Sequence, residues 1–271
     1  MPELPEVETT RRGIEPHLVG RTITRLVVRN FRLRWPVDRA LERELPGQTI
    51  RSVGRRGKYL LLEADSGSLI LHLGMSGSLR ILPADTPPKK HEHLDLVLSN
   101  AMSLRLRDPR RFGVFMWTKD PPLHHPLLKN LGPEPWDARF DGSYLHQRAR
   151  GRSQSVKGFL MDSRTVAGVG NIYANEALFK AGIHPASVAS RISKERYERL
   201  AQAVREVLEQ AIQEGGTTLR DFVDNNGQPG YFFQSLKVYR REGKPCTRCG
   251  KPIRTQRLSQ RASYYCPGCQ R

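Results

Sequence analysis

Four cysteines near the end of the chain restrict its possible folds more than any other feature. All of them lie within the last 26 of 271 residues, as two Cys-x2-Cys pairs separated by 16 residues. At this spacing two short loops can supply four thiolates to one tetrahedral metal ion. Two disulfides or four incidental thiols are the alternatives, but clustering of this kind in a reducing compartment favours a metal. We therefore predict one Zn²⁺ held by Cys246, Cys249, Cys266 and Cys269.

The predicted zinc is structural rather than catalytic. A catalytic zinc keeps one coordination position for water or substrate, whereas four cysteines leave none. Residues 237–271 also carry ten Lys and Arg side chains against one Glu, so the segment stays positive even when four thiolates and one zinc ion are counted. A small, positively charged zinc module is suited to contact phosphate groups.

The whole chain is strongly basic. It has 45 Lys and Arg against 27 Asp and Glu, a formal net charge of +18, and a pI near 10.3. Arginines also occur in clusters, such as Arg105, Arg107, Arg110 and Arg111. Clustered positive charge favours a polyanionic partner, with nucleic acid the leading candidate, over a solvated basic surface that binds nothing specific.

The sequence shows no sign of membrane insertion or secretion. No run approaches the roughly 18 apolar residues of a membrane span, and the opening MPELPEVE lacks the basic and apolar regions of a signal peptide. We therefore expect a cytosolic protein with no membrane partner.

The first half of the chain predicts one helix followed by many strands. The helix begins near Pro5 and ends at Gly20, directing Val7, Ile14 and Leu18 towards a core. From Thr22 to about Thr118 short apolar runs alternate with turn residues, which predicts an antiparallel sandwich or barrel. The runs are TITRLVVRN, KYLLLEA, SLILHLG, HLDLVLSN, MSLRLRD and GVFMWTK.

The second half predicts helices. Residues 119–143 are rich in Pro, Gly and Asp and separate the two patterns. Beyond them, apolar residues from Leu200 to Ile212 follow helical spacing, with Ser193 as N-cap and Gly215 and Gly216 as terminators. The stretch GGTTLRDFVDNNGQPGYF that follows is typical of a functional loop or a plain linker.

Six motifs resemble those of the bacterial formamidopyrimidine-DNA glycosylase family: PELPEVET, RRGKYLLL, HLGMSGSLR, DPRRFG, GVGNIYANE and QRASYYCPGC. They occur in the family's order from end to end. The resemblance implies an α+β multidomain chain with an N-terminal antiparallel β-sandwich (1–130), a helical helix-two-turns-helix domain (131–236) and a C-terminal zinc finger (237–271). It also implies a monomer that excises oxidised purines, such as 8-oxoguanine and formamidopyrimidines, from double-stranded DNA and cleaves the strand by β,δ-elimination.

The resemblance also assigns catalytic roles. Pro2 looks like the nucleophile, because a secondary amine freed by removal of Met1 can attack a sugar carbon and form a Schiff base. Glu3 is implied to move protons at the sugar ring, and Lys58 to act as a general acid. Arg261 is implied to assist elimination at the phosphate. Glu6 is expected to be a structural or orienting carboxylate.

Other matching positions are implied to contact DNA. Extruding a base leaves a gap in the duplex, and Met75, Arg110 and Phe112 resemble the residues that fill it. The positions implied to contact the DNA backbone are His91, Arg152, Lys157 and Asn171, with Asn171 at a predicted helix start. Thr217 and Thr218 open the loop that in the family covers the flipped base, with no individual role assigned.

Two other functions share parts of this pattern. A related glycosylase for oxidised pyrimidines would share the amine, the glutamate, the lysine and the zinc finger, but the set of Met75, Arg110 and Phe112 argues against it. A non-enzymatic zinc DNA-binding protein would share the charge and the cysteines, but it has no need for Pro2 followed by Glu3.

Overall fold

The structure is a computed structural model that describes residues 1–217 and 231–271. Within these ranges the chain has an α+β fold. The helices are α1 (Leu4–Leu18), α2 (Leu41–Glu44), α3 (Gly142–Ala149), α4 (Val156–Met161), α5 (Asn171–Ala181) and α6 (Lys194–Gln213). The strands are β1 (Ile23–Val28), β2 (Ile50–Arg56), β3 (Tyr59–Ala64), β4 (Gly67–His72), β5 (Ser78–Pro83), β6 (Glu92–Leu98), β7 (Met102–Arg107), β8 (Val114–Thr118), β9 (Arg254–Leu258) and β10 (Arg261–Tyr265).

The chain divides into two compact units. The first comprises residues 1–129 with the described residues of 214–233, and the second comprises residues 130–213 and 234–271. The zinc-finger segment therefore clusters with the helices of the second unit. The division into 1–130, 131–236 and 237–271 stays a prediction.

The first unit contains the predicted sandwich. Two four-stranded antiparallel sheets have the orders β1-β6-β7-β5 and β2-β3-β4-β8. Both sheets contribute to one hydrophobic core, for example Leu96 and Leu104 from the first and Leu62 and Phe115 from the second. All six predicted strands are present. The sequence did not predict β2 and β5, whose apolar alternation is interrupted by Arg, Gly and Pro.

Helix α1 buries the predicted side chains of Val7, Ile14 and Leu18 in the core of the first unit. It starts one residue before Pro5, and Gly20 follows its end with a left-handed φ of 77°. Met1 is exposed, whereas Pro2 and Glu3, which follow it, are buried.

The second unit is helical, with a zinc-finger hairpin at its end. Helix α6 follows Ser193 as predicted, and it buries the expected apolar face. Helices α3 and α4 were not predicted because they are only eight and six residues long. Each is capped by a side chain: Asp141 accepts the N–H of Tyr144, and Ser155 accepts the N–H of Gly158. None of the helices in the described ranges is long and apolar enough to cross a membrane.

A buried charge network braces the sheet of the first unit. The Arg105 side chain is only 2% exposed, and its guanidinium donates to both carboxylate oxygens of Asp95 at 2.7 and 2.9 Å. It also donates to Glu92 at 3.1 Å and to the carbonyl of Thr86 at 2.7 Å. These contacts tie strands β6 and β7 to the loop that leads to His91.

Replacing Arg105 by Met should lower the free energy of unfolding by about 3 kcal/mol, because the buried carboxylate of Glu92 then loses its ion-pair partner and that of Asp95 keeps only Arg29. Arg51→Met removes the exposed ion pair with Asp65 and should cost less than about 1 kcal/mol. Urea unfolding followed by tryptophan fluorescence compares the two variants. Equal losses would contradict a structural role for the network.

Candidate active site and nucleic-acid interface

The first residues of the chain are fixed in place. Pro2 and Glu3 are buried, and Glu3 is the residue immediately before α1. The Glu6 carboxylate accepts the backbone N–H of Glu3 at 2.7 Å through Oε2 and that of Thr217 at 2.8 Å through Oε1. Glu6 thus joins the chain start to residue 217 within the first unit, as expected of an orienting carboxylate. Thr218 lies outside the described residues.

Lys58 lies in the tight turn between β2 and β3, where Gly57 has a left-handed φ of 57°. Its neighbour Tyr59 pairs with His72 across the sheet, and their ring centroids are 4.7 Å apart. The turn thus places the ammonium group of Lys58 close enough to the imidazole of His72 for its positive charge to lower the pKa of that imidazole.

His72 is held as a neutral imidazole. Burial first, and then the positive charges of Lys58 and Arg34, lower its pKa to about 4. Nδ1 accepts the backbone N–H of Gly74 at 2.9 Å, so the ring proton sits on Nε2. The hydrogen bond fixes the start of the short turn that carries Met75.

The turn with Met75 and the loop with Phe112 are in direct contact. Gly74 has a left-handed φ of 62°, and a Cβ there would lie 2.5 Å from the carbonyl carbon of Phe112. Asp108, fully buried, fixes the second loop, since its Oδ2 accepts the N–H of Gly113 at 2.7 Å. The structure therefore brings together the two loops that carry predicted gap-filling residues.

An arginine-rich cavity of about 570 Å³ opens beside this loop. Its lining residues are Arg32, Arg34, Arg110, Arg111 and Phe112. The guanidinium of Arg110 lies 4.8 Å from the ring centroid of Phe112, a cation–π contact that holds the two predicted DNA-contacting side chains together. Four arginines around one cavity form a site for anions rather than for apolar molecules.

His91 lies just before strand β6 with a left-handed φ of 71°. Partial burial, followed by the positive charges of Lys90 and Arg107, lowers its pKa. His91 thus lies among positively charged side chains, as the arginine-rich cavity does.

The second unit holds the remaining predicted contacts. Asn171 is the first residue of α5, as predicted, and its Oδ1 is buried with no hydrogen-bond partner in the part of the chain that the structure describes. Arg152 and Arg261 are exposed, whereas Lys157 is 1% exposed and donates to Ala262 and Ser263. Lys157 is thus the one residue of the predicted backbone contacts that is buried as a whole, since His91 and Asn171 are half-buried and Arg152 is exposed.

The four cysteines form one cluster. Their sulfur atoms all lie within 4.8 Å of one another, with 3.9 Å between Cys246 and Cys269 and 3.4 Å between Cys249 and Cys266. A tetrahedral zinc with Zn–S bonds near 2.3 Å needs sulfurs about 3.8 Å apart, so the residues fit the ion. Burial, and then the neighbouring thiols, raise the pKa of Cys269 to about 12, and a divalent cation would remove this obstacle to four thiolates.

A small core surrounds this cluster. Cys246 and Cys266 are buried with Phe179, Val238 and Ile253, which joins the zinc site to helix α5. The buried carboxylate of Glu176, also on α5, accepts the backbone N–H groups of residues 237, 238 and 239 at 2.9, 3.0 and 2.8 Å. Burial raises the pKa of Glu176 while these three amides oppose the shift.

Sequence reasoning missed three of these residues. His72, Asp108 and Glu176 stand inside the quoted motifs, but only the folded chain shows that they hold neighbouring backbone in place. A buried polar residue in a motif is a signal for such a role, yet burial is not visible in the sequence.

Models of known protein families match most of the chain. Residues 1–115 match the formamidopyrimidine-DNA glycosylase N-terminal domain, and residues 131–223 match the H2TH domain of the same glycosylase. Residues 243–271 match a zinc finger found in FPG and IleRS. The chain is 61% identical to the formamidopyrimidine-DNA glycosylase of Methylococcus capsulatus over 271 residues, covering 100% of both proteins.

Solved structures of DNA complexes share the fold. A point mutant of the Lactococcus lactis FPG in complex with DNA containing Fapy-dG has a TM-score of 0.93 and 35% identity, with 100% of both chains covered. The wild-type Lactococcus lactis protein with oxidised-pyrimidine DNA has a TM-score of 0.91 and 35% identity, again over 100% of both chains. These relatives bear out the predicted sandwich, helix-two-turns-helix and zinc-finger architecture.

Replacing His72 by Asn should flatten the dependence of stability on pH. The unfolded histidine takes up a proton near its ordinary pKa of 6.5, whereas the folded one resists until about pH 4, so stability present above pH 6.5 is lost as the pH falls towards 4. Between pH 7 and 5 the variant should lose on the order of 1 kcal/mol less than the wild type in urea unfolding. Asparagine keeps an acceptor for Gly74, and His124→Asn at an exposed position is the control. Parallel curves for all three proteins would contradict the assignment.

Removal of zinc should unfold the C-terminal segment and weaken DNA binding by about 100-fold or more, because the metal supplies much of the folding free energy of such a module. Anisotropy titration with duplex DNA before and after chelation measures the loss, and added zinc should restore binding. Retained binding by metal-free protein would refute the structural role.

Proposed function

This chain belongs to the formamidopyrimidine-DNA glycosylase family, and we propose that it excises oxidised purines from duplex DNA through the amine of Pro2. Members of the family are DNA glycosylases with abasic-site lyase activity, and the chain is accordingly a base-excision repair enzyme that acts on DNA. The observation that carries the proposed mechanism is the buried Pro2–Glu3 pair at the start of α1, held by Glu6.

The amine of Pro2 supplies the nucleophile once Met1 is removed. An N-terminal amine has an ordinary pKa near 8, so a useful fraction is unprotonated at neutral pH, unlike a lysine amine. Its lone pair attacks C1′ of the damaged nucleotide, the bond from C1′ to the base breaks, and the base leaves with the bonding electrons. Because Glu6 holds the backbone of Glu3, the attacking nitrogen starts from a fixed position.

Glu3 and Lys58 move the protons. Glu3 is adjacent to the nucleophile and protonates the ring oxygen as the sugar opens, which leaves a Schiff base between Pro2 and C1′. Lys58 acts as the general acid from the turn between β2 and β3. Its charge adds to the effect of burial in lowering the pKa of His72, so the imidazole stays neutral and its Nε2 proton is available to a hydrogen-bond acceptor.

Strand cleavage follows from the Schiff base. Loss of a C2′ proton expels the 3′ phosphate, a second elimination expels the 5′ phosphate, and hydrolysis then frees Pro2. Arg261 assists by contact with the leaving phosphate, since a guanidinium matches phosphate geometry. Arg152, Asn171 and His91 bind other phosphates of the backbone.

Flipping the damaged nucleotide costs a few kcal/mol of stacking and pairing. Met75 and Phe112 fill the vacated space, while Arg110 donates hydrogen bonds to the base left unpaired. The contact between the loop of Gly74 and Met75 and the loop of Arg110 and Phe112 supports this role, because adjoining loops can enter the duplex together. We propose that the enzyme works as a monomer on chromosomal DNA in the cytoplasm.

The decisive experiment is borohydride trapping on a duplex that carries 8-oxoguanine opposite cytosine, with mass spectrometry to locate the linked residue. A crosslink at Pro2 is expected. Trapping only on oxidised-pyrimidine duplexes would assign the chain the alternative lesion class, and binding without any crosslink would refute the Schiff base.

Replacing Pro2 by Gly should keep part of the activity, because an N-terminal amine remains, whereas acetylation of the terminus should abolish trapping and strand cleavage. Pro5→Ala changes a nearby proline but leaves the amine intact, and it should crosslink like the wild type. Full activity with an acetylated terminus would rule out the proposed nucleophile.

A further inference from the structure

Lys157 on helix α4 is one of the most deeply buried charged residues in the second unit. Only 1% of it is exposed. Its ammonium group donates to the backbone carbonyl of Ala262 at 2.8 Å and to the hydroxyl of Ser263 at 2.7 Å. A buried ammonium needs such acceptors, and here both follow Arg261 directly in the chain.

A second buried side chain forms a hydrogen bond with strand β10, which contains residues 262 and 263. Asn175 on α5 is fully buried, and its Oδ1 accepts the backbone N–H of Tyr264 at 2.8 Å. Its amide nitrogen donates to the carbonyl of Asn171 one turn earlier at 2.5 Å, which fixes the orientation of the amide. Strand β10 is therefore held at three consecutive residues, 262–264, by side chains from two helices.

The turn before Arg261 needs such support. Ser259 and Gln260 have left-handed φ values of 46° and 62°, and they connect β9 to β10 with Arg261 opposite Leu258. Left-handed backbone at two successive non-glycine residues is unfavourable and persists when surrounding contacts impose it. Arg261 itself is exposed, so the backbone of this hairpin sets its position.

We propose that Lys157 is a positioning residue that aims Arg261, rather than a residue that contacts DNA. Its role in catalysis rests on the proposed function, because Arg261 is the group that meets the leaving phosphate. The ammonium group holds residues 262 and 263, Asn175 holds residue 264, and together they keep the strained hairpin in the one conformation that presents Arg261.

A double-mutant cycle tests the proposal. Lys157→Met keeps the length of the side chain but removes its donors, and Ser263→Ala removes one acceptor with a smaller risk to folding. In single-turnover elimination on abasic-site DNA, Lys157→Met should slow the reaction by about 10- to 100-fold, the size of loss expected from a small misplacement of a reacting group. In an Arg261→Ala background the same change should slow it by less than about 2-fold, since nothing is left to position.

Two further measurements do not depend on catalysis. Amide hydrogen exchange across residues 259–264 should accelerate in Lys157→Met and in Ser263→Ala, with zinc content unchanged. The slope of log Kd against log salt for DNA binding should equal that of the wild type, whereas loss of a phosphate contact would reduce it by about one. Lys180→Met, which removes an exposed lysine paired with Glu206 at 2.8 Å, is the matched control and should leave all three readouts unchanged.

The outcomes separate the two claims. Equal slowing in both backgrounds, a reduced salt slope or unchanged exchange in the hairpin would overturn the positioning role. An inactive wild type would refute the proposed function, while the exchange and salt measurements would still decide whether Lys157 holds the hairpin or binds DNA.

Discussion

The position of the N-terminus depends on one carboxylate, that of Glu6. Chain ends ordinarily fray, yet an amine nucleophile requires the opposite. Glu6 is almost completely buried, and each of its oxygens accepts a backbone N–H, one from Glu3 and one from Thr217. Burying the carboxylate without these two hydrogen bonds would cost much free energy. The backbone at Glu3 and at Thr217 is therefore fixed relative to Glu6.

Buried ionisable side chains hold backbone in the second unit too. The carboxylate of Glu176 accepts three backbone N–H groups, from residues 237–239, and the ammonium group of Lys157 donates to two oxygens, of residues 262 and 263. The cysteine cluster belongs to the same C-terminal part of the chain, and its core contains few apolar residues. Buried charges and a metal thus take the place that a large hydrophobic core occupies elsewhere.

The sequence predicted most elements that repeat a simple pattern. The six strands, helix α1 and helix α6 have clear apolar spacing, and the spacing of the four cysteines predicted that they cluster. Such patterns can be read from the sequence because they depend on residues that are close in the chain. Helices α3 and α4 were too short for periodicity to show. Lys157 illustrates the harder case: a lysine in a basic segment looks like a phosphate contact, and only the distant pairing with residues 262 and 263 changes its interpretation.

The arginine-rich cavity beside Phe112 bears on how such an enzyme searches for its target. A surface with this charge binds any phosphate backbone, whether or not a lesion is present. Intact DNA is in vast excess over damage, so the molecule spends nearly all its time on undamaged sequence and travels along it between dissociations. Its occupancy of the genome is then governed by ionic strength. The discrimination of a lesion has to come from how readily a given nucleotide leaves the stack when the proposed gap-filling residues, Met75 and Phe112, press on it.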